Sequence, residues 1–598
     1  MTRRWRFCRA VLLGSTLAGA ATSGATPAPA AEAAGAAQLL DPAYMAANIC
    51  APIPARRTEL YKPGYQLAVA QAGSAAVATA VAADKSPVLY DDLGTLSYPV
   101  ATRAPEAQRY FDQGLRLAFA FNHAEARRAF RRAQAIDPTC AMCYWGEAYV
   151  LGPNINYPMM PDAVAPAFAA VAQAVALKDG ASERERALIE AMAARYAADP
   201  AADRKALEAA YADAMAEVAE RHPEDDQVQV LFADALMNLQ PWDYWAPDRR
   251  TPKGRTAEQL AALERVLERN SEHPGAIHLY IHTVEASTSP ERAEGHADRL
   301  GTLMPGAGHP VHMPAHIYYR VGRYLDSLKA NIKAAAADEA LFAQVQDQSI
   351  YRHGLYPHNV HFVLVSAQMA GDGANAVSAA EKLGQVVSDD MAKQVGWVEA
   401  IKTAPYFAHA QFSAPETVLA LPDPGDDFPF VQGSWRYARA MARIRAGDLQ
   451  AAAEEGKRLG DLAEGADLSR LAAWFVPAKE VLTIAGKVVD GQIARAGGDH
   501  AAEVALREAA ALQDGLPYME PPFWYYPVRQ TLGAALLDAG KAEEAAQALL
   551  AAPNNAYALH GLMQAQQAMG DTAGAAATQD LFKRAWAGGA EPPTLAEL

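Results

Sequence analysis

Apolar and polar residues along this chain follow the pattern of helices rather than that of strands. Alanine is abundant, runs of β-branched residues are scarce, and segments that alternate apolar with polar residues are hard to find. Because alternation with a period of two marks a half-buried strand, its scarcity favours helices throughout. The sequence therefore predicts an all-α protein, and its 598 residues suffice for several domains or one long solenoid.

The segment 111–138, FDQGLRLAFAFNHAEARRAFRRAQAIDP, combines small residues at regular places with one bulky residue and a closing proline. The residues concerned are Gly114, Ala126, Ala133, Phe130 and Pro138. In this spacing the segment resembles a tetratricopeptide repeat, a helix–turn–helix unit of 34 residues. The resemblance implies that the small residues let helices A and B of the unit approach closely, while Phe130 fills the gap between them.

Looser matches to the same repeat recur over roughly residues 105–590, although Ile281 stands where a small residue is usual and Asn331 where an aromatic one is. Irregular insertions are predicted at 152–180, 240–255, 386–432 and 485–525. The resemblance implies that the units stack into a right-handed superhelix whose concave groove is lined by the A helices. The chain resembles exported bacterial solenoids of this tetratricopeptide-like kind, with a histidine-rich groove.

The N-terminus has the features of an export signal. Arginines near the start precede a short apolar run at residues 10–25, and small residues suited to cleavage follow, most plausibly after Ala30. The run is too short to span a bilayer, and no other apolar run approaches about 18 residues, so we expect no stable membrane insertion after cleavage. The predicted location is the periplasm or the exterior of the cell.

The predicted organisation has four parts. A signal peptide covers residues 1–30, and an extended arm that lies on the fold covers residues 31–104. A first tetratricopeptide-like solenoid with the histidine-rich groove follows at 105–385. A second solenoid of the same kind covers 386–598.

Charge and cysteine content limit the partners and the chemistry. The formal net charge of -16 argues against nucleic acid and against an anionic membrane surface as partners. Cys140 and Cys143 lack the following histidine that a c-type haem would need, since Tyr144 stands there. On a helix the two cysteines share a face, where they would form a local disulfide, bind a soft metal or pack. Packing is the interpretation we favour.

Histidine is concentrated in one stretch, because ten of the fifteen histidines lie between His273 and His361. The segments HLYIH and HMPAH repeat a spacing that places two imidazoles one turn apart on one helix face. In the register of the repeat, the groove positions of three consecutive A helices carry chemistry-bearing residues. They are His278, His282 and Glu285, then His309, His312, His316, Tyr319 and Arg320, then His358 and His361.

Imidazole and carboxylate donors together are typical of a site for zinc, copper or iron. We therefore predict that a divalent transition metal binds in this groove. The predicted ligands are His278, His282, Glu285, His312, His316 and His361. These donors exceed one tetrahedral zinc site, so two metals, or one metal with outer hydrogen-bond partners, would fit better.

Further residues are predicted to contact a ligand beside the metal. They are His309, Tyr319, Arg320, His358, Asp234, Asn238, Trp242 and Trp245. The aromatic segment PYMEPPFWYYP, residues 517–527, would either cap the groove or pack as an inter-helix loop, and we favour the loop. Sequence motifs for phosphate loops, Rossmann folds and nucleophilic serine elbows are missing from the chain.

The function that these observations predict is binding of a metal ion, or of a metal-linked small ligand, in the groove of an exported helical-repeat protein. Two alternatives stay open. One is a metal-dependent enzyme, hydrolytic or oxidative, with His309 or His358 in an acid–base role. The other is a scaffold that binds a peptide or protein without metal.

Overall fold

The structure is a computed structural model that describes residues 87–347, 349–499, 501–552 and 554–598. Within these residues the regular elements are helices, which confirms the prediction of an all-α protein. The predicted signal peptide at 1–30, and the part of the predicted arm before residue 87, lie outside the described residues.

The helices that precede and carry the histidine stretch begin at Pro105. They are α1 (Pro105–Phe119), α2 (His123–Ile136), α3 (Ala141–Leu151), α4 (Val164–Leu177), α5 (Glu183–Ala194), α6 (Arg204–Arg221), α7 (Asp226–Met237), α8 (Thr256–Arg269), α9 (Pro274–Val284), α10 (Glu294–Leu303), α11 (Gly308–His312), α12 (Pro314–Arg320), α13 (Tyr324–Phe342), α14 (Tyr356–Ala370) and α15 (Gly373–Val386). Short 3-10 turns lie at Pro161–Ala163, Lys178–Gly180 and Pro290–Ala293, and a π-helical turn at Tyr351–Leu355 leads into α14.

The remaining helices lie between Asp389 and Ala585, and the first of them are short. They are α16 (Asp389–Gln394), α17 (Gly396–Ile401), α18 (Ala404–Phe412), α19 (Pro415–Leu419), α20 (Pro429–Arg445), α21 (Leu449–Gly465), α22 (Ser469–Ala473), α23 (Ala478–Ala496), α24 (Ala501–Gly515), α25 (Val528–Asp538), α26 (Ala542–Leu550), α27 (Ala556–Ala568) and α28 (Thr572–Ala585). A 3-10 turn at Leu595–Glu597 follows them.

Short polar side chains begin many of these helices. Asn122, Asp225, Asp372 and Asp571 each accept a hydrogen bond from the backbone N–H three residues further on. Such a cap satisfies one of the N–H groups that a helix leaves unpaired at its start. The local sequence therefore fixes where a new helix begins, and with it the alternation of helix and turn that makes a solenoid.

The contact between successive helices follows the packing that the repeat predicts. Phe130 of α2 is buried between Gly114 of α1 and Gly146 of α3. A Cβ added at Gly114 would come within 2.7 Å of the Phe130 ring, and one at Gly146 would come closer still. Only glycine therefore lets three consecutive helices close around one aromatic ring. Leu549 has the same relation to Gly533 and Gly561 near the end of the chain.

Two large hydrophobic cores run through the solenoid. The first contains buried residues between Leu93 and Leu355, and the second contains buried residues between Ala315 and Ala565. The cores therefore overlap along the chain in the stretch from α12 to α14. The histidine-bearing helix α12 contributes buried residues to both cores.

The described part of the predicted arm, residues 87–104, has no helix and lies along α1. The backbone N–H of Tyr98 donates to Asp112 at 3.0 Å, and that of Val100 donates to Gln108 at 2.9 Å. Further along, Gly306 donates its N–H to the carbonyl of Asp92 at 2.9 Å. Side chains of α1 and a distant turn thus supply the partners that an extended backbone needs.

Two of the predicted insertions into the repeat contain long helices, since α4 lies within 152–180 and α24 within 485–525. The prediction for the two cysteines is wrong. Cys140 and Cys143 do not merely pack, because the structure joins them in a disulfide at the start of α3. The two Cα atoms are 5.4 Å apart, which is within the range that a disulfide bridges.

Candidate metal centre

Helix α9 places His278 and His282 one turn apart. It begins at Pro274, which suits the first turn of a helix because proline has no N–H to leave unpaired there. The ring Nδ1 of His273 accepts from the N–H of Ala276 and caps the helix. Glu285 ends α9, so its carboxylate lies one turn beyond His282. All three predicted residues of this helix are buried.

Helices α11 and α12 carry His309, His312 and His316. The backbone N–H of His309 donates to the hydroxyl of Tyr351 at 3.2 Å, and that hydroxyl donates to Asp338 at 2.8 Å. The π-helical turn thereby fixes the start of α11 against α14, the helix that carries His358.

The structure brings six histidines together as two groups of three. The first histidine group is His278, His282 and His309, and the second histidine group is His312, His316 and His358. Within each group, one ring nitrogen from every member lies within 4.8 Å of the others. The two groups are neighbours, because the rings of His309 and His312 have centroids 5.8 Å apart.

Four of these imidazoles have their Nδ1 atom bound to an oxygen. His278 Nδ1 lies 2.7 Å from the carbonyl of Phe119, and His282 Nδ1 lies 2.8 Å from Oε1 of Glu285. His316 Nδ1 contacts Oε2 of the same carboxylate. A carbonyl or carboxylate oxygen only accepts, so Nδ1 carries the proton and Nε2 keeps its lone pair.

The fourth Nδ1 atom, that of His312, contacts Oδ1 of Asn331. The amide of Asn331 is held in this orientation because its Nδ2 donates to the carbonyl of Ser327 at 2.7 Å. The oxygen therefore faces His312, and this imidazole too keeps its lone pair on Nε2.

The Nε2 atoms face each other across short distances. His278 Nε2 lies 3.1 Å from His309 Nε2, and His312 Nε2 lies 2.8 Å from His316 Nε2. In the first pair a proton on Nε2 of His309 satisfies the contact. In the second pair both Nδ1 atoms already carry the protons, so two lone pairs would meet unless a further proton or a metal cation lies between them.

Burial keeps most of these imidazoles neutral. It lowers the pKa of His278, His309, His312 and His358 well below the ordinary value, and the charges of neighbouring histidines lower it further. Five of the six histidines are at most 3 % exposed. Neutral imidazole is the form that ligates metals.

Glu285 and His316 form the charged pair of the site. Burial alone would raise the pKa of Glu285, but the charge of His316 and the hydrogen bonds from His282 and His316 hold it well below its usual range. Burial likewise disfavours the charged form of His316, yet Glu285 raises the pKa of this histidine above the ordinary value. Without a metal, the further proton that the contact between His312 and His316 needs is therefore accommodated better on His316 than on His312, whose pKa burial lowers.

Two phenylalanine rings pack against the histidine groups. Phe121 lies 4.5 Å from His278 and 5.3 Å from His309 between ring centroids, and Phe362 lies 4.8 Å from His312 and 5.0 Å from His316. The backbone of Phe121 has a φ of +54°, in the left-handed region that non-glycine residues rarely adopt. The turn between α1 and α2 is thus held in an uncommon conformation that aims an aromatic ring at the first histidine group.

Residues 516–527, which we name the capping loop, cover the site from the later part of the chain. The hydroxyl of Tyr518 donates to Oε2 of Glu285 at 3.2 Å. The guanidinium groups of Arg249 and Arg320 flank the Tyr518 ring at 5.1 Å and 5.4 Å from its centroid. In the same loop burial raises the pKa of Glu520 to about 7. The aromatic segment is therefore a packed inter-helix loop, as predicted, since Phe523, Trp524 and Tyr525 are buried in the second core, and through Tyr518 it also covers the site.

The other predicted residues lie around the centre at different distances. Trp242 presents its ring edge to His282, with centroids 5.0 Å apart, and Trp245 donates its indole N–H to the carbonyl of Thr283 at 2.7 Å. Tyr319 packs against Phe362, and Arg320 donates to the carbonyl of Ser287 at 3.0 Å.

Of the predicted metal ligands, Glu285 and His361 lie outside the two histidine groups, and so do the predicted ligand-binding residues Asp234 and Asn238. His361, a predicted ligand, packs its ring against Tyr525 at 5.0 Å, and burial lowers its pKa to about 3. Asp234 and Asn238 hydrogen-bond to each other, and Asp234 accepts from Tyr149 at 3.1 Å. These two residues belong to a neighbouring polar network.

Several residues of the site had no signal in the sequence. Phe121 lies in a turn, the carbonyl of Phe119 belongs to the backbone, and Tyr518 is 233 residues away from its partner Glu285. Asn331 could have been recognised in the sequence, because it stands where the repeat usually has an aromatic residue.

The predicted groove is not an open surface at the histidines. In the described part of the chain the phenylalanines, the tryptophans and the capping loop surround them, so they are enclosed rather than exposed. No helix there combines the length and the apolarity needed to cross a bilayer.

Comparison with known proteins adds little to this geometry. No protein-family model matches the chain, and no curated protein matches it. Among solved structures it is similar to the human IFIT1 dimer with PPP-AAAA, with a TM-score of 0.28 and 12% identity over 81% of this chain and 91% of that chain. It is also similar to Naa15/Naa10 bound to HypK-THB, with a TM-score of 0.21 and 15% identity over 80% of this chain and 70% of that chain. IFIT1 and Naa15 are helical-repeat proteins, but at these scores the all-α assignment rests on the helices of this chain.

Proposed function

We propose that this helical-repeat protein binds divalent transition-metal ions in its buried histidine centre, one ion at each histidine group. The observation that carries the proposal is the convergence of Nε2 lone pairs whose opposite Nδ1 atoms are held by oxygen acceptors. Metal-bound histidines almost always donate their other N–H to a carboxylate or carbonyl in this way.

The distances between nitrogens suit a shared cation. Two nitrogens that bind one zinc ion tetrahedrally at 2.0–2.1 Å lie about 3.3 Å apart. The Nε2 atoms of His278 and His309, at 3.1 Å, and of His312 and His316, at 2.8 Å, lie within about 0.5 Å of that separation. Three imidazoles suit zinc, copper or iron, and the sequence has no feature that selects among them.

Each residue has a defined part in this proposal. His278, His282 and His309 would hold one ion, and the members of the second histidine group would hold the other. Glu285 would not bind a metal directly, since both its oxygens are used by imidazole Nδ1 atoms. It orients one ligand of each group and supplies negative charge between two cations.

A metal-dependent enzyme is the second candidate, and the number of ligands favours it. Structural zinc sites usually have four protein ligands, whereas catalytic sites have three and keep a position for water or substrate. Each histidine group offers three. A bound metal would supply Lewis-acid or redox chemistry, and the protein would exclude water with Phe121, Phe362 and the capping loop. A peptide scaffold is less well supported, because the histidines do not line an open groove.

Export to an oxidising compartment remains part of the proposal. The disulfide between Cys140 and Cys143 supports it, because disulfides persist in the periplasm and outside cells. N-terminal sequencing of protein recovered from a periplasmic fraction would test cleavage after Ala30.

Metal titration of the chelated protein tests the central claim. We expect uptake of two equivalents of one of zinc, copper or iron, measured by elemental analysis after desalting. His278→Asn and His312→Asn should each reduce the uptake to one equivalent. His296→Asn is the matched control, since His296 lies on α10 beside Arg299 and should leave the uptake at two. Uptake below one equivalent for every metal would refute the proposal.

A further inference from the structure

A cavity of about 270 Å³ lies beside the candidate centre and is separate from it. It opens between the loop at 240–255 and the turn that follows α9. Its lining consists of Trp245, the arginines Arg249, Arg250 and Arg292, and the three hydroxyl residues at 287–289. This volume is larger than an isolated ion needs.

The charge of this cavity differs from that of the protein. Three guanidinium groups line it, whereas the whole chain carries a net charge of -16; the guanidinium of Arg292 also pairs with Glu264, which lies outside the lining. Guanidinium groups present several N–H donors in a planar fork that matches carboxylate and phosphate oxygens. The cavity therefore favours an anionic group.

The walls of the cavity are held in place before any ligand binds. Arg249 has a φ of +54°, and its backbone carbonyl accepts from the N–H of Thr288 at 3.0 Å. Its Nη2 lies 3.4 Å from the carbonyl of Ser287, to which Arg320 also donates. An uncommon backbone conformation fixed by such contacts is typical of functional sites, and prior ordering lowers the entropic cost of binding.

The same residues connect the cavity to the candidate metal centre. The guanidinium of Arg249 lies over the ring of Tyr518, whose hydroxyl donates to Glu285. Ser287 lines the cavity only two residues after Glu285. Tyr518 and Glu285 thus lie between the cavity wall and the histidines.

We propose that this cavity binds the carboxylate or phosphate group of a small organic ligand, while Trp245 packs against the apolar part of that ligand. The ligand would approach the histidines from the side of Tyr518. That part of the inference rests on the proposed metal function, but binding of the anionic group needs no metal.

Binding of two probe anions to the chelated, full-length protein tests the inference. Inorganic phosphate and benzoate are titrated separately by calorimetry, and the comparison shows which anionic group the cavity prefers. We expect saturable binding of at least one, weakened about tenfold by Arg250→Gln and by Arg292→Gln. Arg269→Gln is the matched control, because Arg269 is an exposed arginine of α8 that pairs with Asp226 outside the cavity.

Three outcomes would overturn the inference. The first is that neither anion binds saturably. The second is equal affinity in the two cavity variants and in the Arg269→Gln control. The third is anion binding that occurs only after metal loading, which would place the anion on the metal. Metal uptake is measured on the same samples, so failure of the metal proposal is recognised independently.

Discussion

The hydroxyl of Tyr518 donates to the carboxylate of Glu285 at 3.2 Å, although the two residues are 233 positions apart in the chain. Glu285 ends a histidine-bearing helix of the first core, and Tyr518 belongs to the capping loop. The hydrogen bond therefore joins the later part of the solenoid to the centre built by the earlier part, and it suggests how the site is kept closed.

Tyr518→Phe tests this closure. The substitution removes one hydrogen bond to a charged group, so we expect a loss of about 2 kcal/mol in the free energy of unfolding. We also expect faster transfer of bound metal to a competing chelator, measured by stopped-flow absorbance. Tyr526→Phe is the control, because the Tyr526 hydroxyl donates to the carbonyl of Glu597 and not to the centre. Equal release rates in the two variants would contradict a closing role for Tyr518.

Glu285→Gln should weaken both metal sites at once. Glutamine has the same shape, but it has one acceptor oxygen, so the Nδ1–H of either His282 or His316 would face an NH2 group, and both sites would lose the negative charge between them. Loss of such an outer partner typically lowers metal affinity about 10- to 100-fold. Competition with a chromophoric chelator measures both dissociation constants. If only one constant changes, the carboxylate does not act as the shared partner of the two histidine groups.

Asn331 offers a test that separates the two groups. Asn331→Leu removes the oxygen that holds Nδ1 of His312, and we expect it to release the metal of the second histidine group while the first retains its own. Asn331→Asp keeps an oxygen acceptor and should retain both metals. We expect elemental analysis to find one equivalent of metal in the leucine variant and two in the aspartate variant. Two equivalents in both variants would argue against the role of this amide.

His361→Leu should make the metal-free protein more resistant to acid. Burial lowers the pKa of His361 to about 3, so the folded state keeps it neutral while the unfolded chain takes up a proton below about pH 6.5. Each pH unit below 6.5 therefore costs up to about 1.4 kcal/mol of stability. Between pH 7 and pH 5 the advantage of the leucine variant should grow by about 2 kcal/mol in urea unfolding.

The same variant also tests the ligand set. His361 lies against Tyr525 and outside both histidine groups, so metal uptake by His361→Leu should match that of the unsubstituted protein. If this variant binds one equivalent of metal less than the unsubstituted protein, His361 is a metal ligand, as the sequence predicted.

The all-α solenoid could be predicted because its determinants are local. Helix caps such as Asn122 and Asp372 and close-packing residues such as Gly114 and Phe130 act within one or two turns of the chain. The same register placed His278, His282, His312 and His316 on helices α9, α11 and α12, which lie side by side in the structure.

What surrounds the histidines could not be predicted from local pattern. Tyr518 comes from a loop far along the chain, and the ring of Phe121 is aimed by a turn with an uncommon φ. The choice between His358 and His361 depends on how α14 is rotated, and this rotation cannot be read from the spacing of the histidines alone; a π-helical turn precedes the helix. Asn331 shows where sequence could have helped, since a departure from the repeat pattern marked a residue of the centre.

The position of the capping loop has a consequence for the order of events during synthesis. The two histidine groups are complete once His358 has left the ribosome, but the tyrosine that closes over Glu285 is added more than one hundred and fifty residues later. A chain that ends before the loop would therefore have the histidines without their cover, and ions bound at the proposed sites would exchange freely with solution. Retention of metal at those sites would thus report that the capping loop has folded and docked.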